Sequence, residues 1–107
     1  MRYEIILAPA AAMAFKKLPA RHRAMVRDAL ERHLRHEPAK IGKSRIKRLR
    51  GLRQPQYRLR IDDLRVFHDI QESEVQVLAI VPKAEAQAWL KQEGKSREAG
   101  GASEGEG

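Results

Sequence analysis

The alternation of apolar and polar positions is sharpest between Tyr57 and Ile70. Tyr57, Leu59 and Ile61 alternate with Arg58 and Arg60, and Leu64, Val66 and His68 alternate with Arg65, Phe67 and Asp69. A period of two marks a strand with one face turned inward. Asp62-Asp63 has the length of a two-residue hairpin loop, so residues 57–61 and 64–70 predict a β-hairpin. After a turn at 71–73, EVQVLAIV at 74–81 predicts a third strand, nearly all apolar towards its end and so central. At the N-terminus, residues 2–8 suit a short strand that Pro9 ends. The period then changes. Ala11, Phe15 and Leu18 form one stripe of a helix at 10–18, and Met25, Val26, Ala29, Leu30 and Leu34 form that of a second helix at 20–36. Pro19 separates the two as a helical hairpin. Residues 39–52 predict a loop with a short extended piece at 46–49, and Gln54-Pro55-Gln56 a turn. Residues 83–92 suit a terminal helix with Ala86, Trp89 and Leu90 inward and Gly94 as its stop.

The expected fold is therefore α+β, in one domain. Its order is β-α-α-β-β-β-α: an N-terminal strand, a helical hairpin, a three-stranded antiparallel meander and a C-terminal helix. Residues 1–93 make the domain. Residues 94–107 are rich in Gly, Ser, Ala and Glu, carry no large apolar side chain, and are expected to be a disordered tail.

Charge changes this picture from scaffold to binder. The formal net charge of the 107 residues is +8, and ten of the 22 Lys and Arg lie between Lys40 and Arg65, against only Asp62 and Asp63. Clustered positive charge on a small domain points to a polyanionic partner. Cysteine is absent, which excludes disulfides and thiolate metal sites. No apolar run approaches the ~20 residues of a membrane span, and no signal-peptide core opens the chain. The expectation is a soluble cytoplasmic protein with no membrane partner.

A two-residue loop sets the register. Arg60 then faces Arg65, Arg58 faces Phe67, and these four share one face, with Leu59, Ile61, Leu64, Val66 and His68 on the other. Like charges directly opposite destabilise a sheet, and such a local conflict is expected at a functional site. Arginine offers a planar fork of donors and stays charged, so the face suits phosphate. The alternative is a solvated strand face whose arginines pair with Asp62, Asp63, Asp69 or Glu74. His68 is near neutrality by type, as a general acid or base must be, but parity turns it from the arginines and towards a half-buried bond with Tyr57. His33 and His36 stand at i, i+3 with no third ligand, so a metal site is not expected. No Gly-rich phosphate loop, nucleophile elbow or zinc spacing occurs.

The run LRGLRQPQYRLRIDDLRVFHDI, followed by EVQVLAIVPKAEAQAWL, resembles the RelE/ParE superfamily of type II toxin–antitoxin toxins, with the RelE branch favoured. The likeness spans residues 2–90. It implies a RelE-like fold and cutting of mRNA in the ribosomal A site without a metal or other cofactor. It also implies ribosome, mRNA and a cognate antitoxin as partners. Arg58 and Arg60 match two basic positions of that branch, and Arg65 matches an arginine that opens the next strand. The expected catalytic set is Arg58, Arg60, Arg65 and Lys83. The expected RNA contacts are Lys47, Arg48, Arg50, Arg53 and Phe67. One stretch departs from the pattern. Where RelE-type nucleases carry Gly-(His/Lys)-Arg and then a tyrosine, this chain has Val81-Pro82-Lys83-Ala84, with no arginine before Arg97 and no tyrosine after Tyr57. That departure keeps two alternatives open: a ParE-like poison of DNA gyrase, and an RNA- or ribosome-binding module without cleavage.

Overall fold

The hairpin forms as its alternation dictates. In the computed structural model, which describes residues 1–42 and 45–96, β4 (Tyr57–Ile61) and β5 (Leu64–Gln71) pair antiparallel. Ile61 faces Leu64, Arg60 faces Arg65, Arg58 faces Phe67 and Tyr57 faces His68. Asp62 takes φ 52° in the loop, a left-handed conformation that a short polar side chain tolerates. β6 (Glu74–Pro82) continues the meander on the other side of β5.

Two further strands complete the sheet, in the order β1-β6-β5-β4-β2. β2 (Ile46–Arg48) pairs antiparallel with β4, and β1 (Glu4–Leu7) lies along β6. β1 runs parallel to β6, so the sheet is mixed and not wholly antiparallel. Side-chain alternation reports which residues face inward but carries no information on strand direction. The Gln54 turn is also preceded by a strand: β3 (Leu52–Gln54) pairs with β7 (Lys95–Ser96) in a separate two-stranded ladder. The expected disordered tail thus begins with a paired segment, and its residues 97–107 lie outside the described residues.

α1 (Pro9–Lys17) and α2 (Ala20–Leu34) cover one face of the sheet. Their stripes bring Ala11, Val26, Leu30 and Leu34 against Leu59, Val66, Val77 and Ile80. The end of α2 is tied to the first strand, where Tyr3 N–H donates to the Arg35 carbonyl at 2.7 Å. A 3-10 turn at Lys83–Glu85 leads into α3 (Ala86–Glu93), which lies on the opposite face. There Trp89 stacks on Phe67 with ring centroids 4.8 Å apart and planes at 6°. Among the described residues no helix is long and apolar enough to cross a membrane.

Candidate nucleic-acid interface

The sheet face that carries α3 is divided. Strand register sets Lys47, Arg58, Phe67 and Ala79 in one row across four strands, and Arg60, Arg65 and Val81 in the next. The Trp89 end of the face is apolar and covered. The β4–β2 end is basic and open, and forms a groove of about 650 Å³ lined by Ile41, Gly42, Lys47, Arg58, Arg60 and Arg65.

Arg58 is the strained member of this row. It is half-buried, and its Nε is shielded from solvent with no hydrogen-bond partner. Burial, reinforced by the Arg65 and Arg60 guanidiniums, holds its pKa below the ordinary arginine value. Arg65 is only 8% exposed, yet it too has no acidic partner among the described residues. Its Nη1 donates instead to the carbonyls of Asp62 and Leu64, each at 2.9 Å, which ties it to the turn. Arg60 is exposed at the lip of the groove.

Among the described residues, two of the acids that might have neutralised this face are engaged elsewhere, and Asp62 and Asp63 are exposed at the hairpin tip with no ion pair. Asp69 accepts from Gln54 Nε2 at 2.8 Å and from the Gln56 N–H at 2.7 Å, bracing the corner between β3 and β4. Glu74 accepts from Gln76 Nε2. The reading in which Arg58, Arg60 and Arg65 pair with neighbouring carboxylates is thus not the arrangement found.

The remaining expected residues separate into groups. Lys47 lies beside Arg58 in the groove. Lys83 reaches the same cluster from the far side: its N–H donates to the Asp63 carbonyl at 2.7 Å, and it lines an adjoining groove with Arg60 and Arg65. Arg48 does not join them. Its guanidinium lies 5.1 Å from the Tyr57 ring centroid and donates to the Gln56 carbonyl at 2.7 Å. Arg50 and Arg53 are exposed, in the loop before β3 and on β3 itself, and neither lines the groove. Phe67 corrects its expectation. It shares the arginine face, but it is 0% exposed beneath Trp89 and has no surface to offer a base.

His68 is turned away from the arginines, and its environment differs from the one expected. It is fully buried, stacks on Tyr57 at 5.3 Å between ring centroids, and bonds through Nε2 to the Pro38 carbonyl at 3.0 Å. Its Nδ1 is buried without a partner, and burial holds its pKa below the usual histidine value. Its place is structural: it pins the loop whose next residues, Ile41 and Gly42, wall the groove.

Two residues were not expected beside the arginines, Arg45 and His33. Both line the adjoining groove. Arg45 belonged to the basic run, and one fewer residue of loop would have put it in register beside Arg60. His33 had only its spacing to His36 to recommend it.

The arrangement can bind and stabilise an oxyanion through several clustered cationic donors, of which Arg65 is held by the turn. On the Arg58 row no imidazole or phenol stands among the described residues to move a proton.

No protein-family model matches this sequence, and no curated protein matches it. Solved structures do. The chain is similar to one in the crystal structure of an archaeal RelE–RelB complex from Pyrococcus horikoshii, at 26% identity and a TM-score of 0.59, over 78% of this chain and 97% of that one. A chain of the toxin–antitoxin complex RelBE2 from Mycobacterium tuberculosis matches at 24% identity and a TM-score of 0.58, over 77% and 99%. A chain of the YoeB dimer from Staphylococcus aureus matches at 14% identity and 0.55, over 76% and 97%.

Proposed function

We propose that this chain, whose fold is that of the RelE-like toxin superfamily, is the toxin of a type II toxin–antitoxin system and cuts mRNA on the ribosome. The observation that carries the reading is Arg58: a half-buried guanidinium with a partnerless Nε, flanked by Arg60 and Arg65 at the mouth of an open groove. A phosphate placed there supplies the missing acceptor and the missing negative charge together.

In this reading the RNA 2′-hydroxyl loses its proton to water as its oxygen attacks the adjacent phosphorus, and the bond to the 5′-oxygen breaks; that oxygen leaves as a hydroxyl, protonated from water, and a 2′,3′-cyclic phosphate remains. Negative charge builds on the phosphoryl oxygens as the bond to the 2′-oxygen forms. Arg58, Arg60 and Arg65 share the face that meets that charge, Arg65 held in place by the turn carbonyls, and Lys83 approaches from the turn side. Orientation of the strand carries the remainder of the rate. The missing tyrosine and arginine after β6 fit a slow enzyme that depends on its cations and on the ribosome for alignment.

The test is induced expression followed by mapping of mRNA 5′ ends. Growth arrest with new ends at A-site codons is expected, and intact mRNA in arrested cells refutes the reading. The divergent Val81-Pro82-Lys83-Ala84 stretch favours one other reading, a gyrase poison. Inhibition of purified gyrase supercoiling, with mRNA intact, would establish that instead. Either toxin implies an antitoxin partner. For this basic face we expect a small acidic protein with a segment that folds on binding, recovered by co-purification with the product of an adjacent coding frame.

A further inference from the structure

A second groove, of about 560 Å³, lies between α2 and the β4–β5 turn. It adjoins the first, since Arg60 and Arg65 line both. The chain locks the junction: Arg60 N–H donates to the Arg45 carbonyl at 2.8 Å, which holds Arg45 beside Arg60 at the start of β2. The volume falls in the range of small-ligand sites, about 300–1,000 Å³.

Its lining is zoned. Arg45, Arg60 and Lys83 have no ion pair among the described residues, whereas Arg32 is held by Asp28 at 3.0 Å. Met25, partly exposed on α2, provides apolar surface between them. His33 stands on the α2 wall, where burial and the Arg45 and Arg32 guanidiniums keep its pKa below the usual value. Its imidazole is therefore neutral near pH 7 and presents one donor and one acceptor. The Asp62 and Asp63 carboxylates, exposed at the rim, repel phosphate but accept from the exocyclic amino group of a base.

We propose that this groove is a second nucleotide subsite, holding a nucleotide that flanks the scissile phosphate on the same RNA strand. Arg45 and Lys83 take its phosphate, Met25 takes the face of its base, and His33 bonds to the base edge. The inference rests on the nuclease reading above, since the strand must first cross the Arg58 groove.

The test uses ribosomes programmed with an mRNA whose sugars are 2′-O-methylated at the A site, so that it cannot be cut. One thiouridine is moved through successive positions. After irradiation, the crosslinked peptides of the full-length protein are identified by mass spectrometry. One position should crosslink to β4 or β5 and a neighbouring position to the α2 peptide containing His33. Arg45→Ala should lower the α2 crosslink on the order of tenfold, the loss of one charge-assisted hydrogen bond, and leave the sheet crosslink unchanged. Crosslinks to the sheet at some position and to α2 at none overturn the subsite and leave the nuclease reading standing. Crosslinks to neither, at any position, overturn both.

Discussion

Arg58→Met should make this protein more stable and abolish its toxicity. Methionine keeps the unbranched stem of arginine and so most of its packing, and removes only the charged head. In the native protein that head has Lys47 opposite it on one side, Arg65 and Arg60 close by, and a buried Nε without an acceptor. A buried unsatisfied donor costs about 1–3 kcal/mol, and like charges across a sheet add about 0.2–1 kcal/mol. Because Arg58 is only half-buried, the lower part of that range applies, a net gain of about 1–2 kcal/mol for the variant. In a domain of this size each kcal/mol moves the melting midpoint by about 4–8 °C. Thermal unfolding of both proteins in low-salt buffer measures it. Adding sulfate should narrow the gap, since an anion that binds the native groove stabilises the wild type by mass action and the variant much less. An Arg58→Met protein that melts at or below the wild-type temperature and still arrests growth would refute the assignment of Arg58 as a stored, unpaired charge awaiting phosphate.

Three other outcomes follow from the same geometry. Arg65→Ala removes two bonds to turn carbonyls as well as a site cation, so it should cost about 2–4 kcal/mol in a urea melt and is a poor probe of catalysis alone. Phe67→Ala should cost about 3–5 kcal/mol, and Trp89→Ala less because Trp89 is partly exposed; a larger loss in Trp89→Ala would invert the proposed packing. Stability should also fall in acid through His68. Its folded pKa is depressed, so above the unfolded value of 6.5 both states are neutral and stability is full. As pH drops below that value the unfolded chain takes up the proton first, and stability declines until the folded pKa is reached. The slope in urea melts should approach about 1.4 kcal/mol per pH unit for this residue. His68→Phe, which keeps a ring against Tyr57, should flatten it.

The hairpin was legible because a period of two and a two-residue loop fix the register by themselves. Once Asp62-Asp63 is the loop, Arg58, Arg60 and Arg65 must share a face. What covers a face is not encoded by parity. Phe67 was grouped with the arginines correctly, but its burial depends on Trp89, which arrives from α3, beyond β6 and the 3-10 turn. His68 is similar: its bond to the Pro38 carbonyl joins residues 30 apart in sequence, and no local pattern announces it. The direction of β1 and the β3–β7 ladder were hidden for a related reason. Strands of four, three and two residues are fixed by their partners and not by their own periodicity.

Why the basic groove stays unneutralised can be traced to where the acids went. Glu31 is held by Arg35, Asp28 by Arg32 and Glu37 by Lys40, each within one turn of its partner. Asp69 is used by the Gln54–Gln56 corner. Each of these contacts is local or braces a junction, so each forms wherever the elements form. The sheet contributes cations from β2, β4 and β5 to one face, and among the described residues the acids nearest in sequence are engaged elsewhere or exposed at the hairpin tip. α3 is only eight residues long and covers the Phe67 end of that face, not the Arg58 end. The fold thus finishes with a concave cationic surface that the carboxylates of the described residues do not neutralise. On the proposed function, the compensating charge is phosphate when RNA is bound and the carboxylates of an antitoxin when the protein is restrained. Were both to bind this face as proposed, they would exclude each other, and inhibition would require no conformational change in this chain.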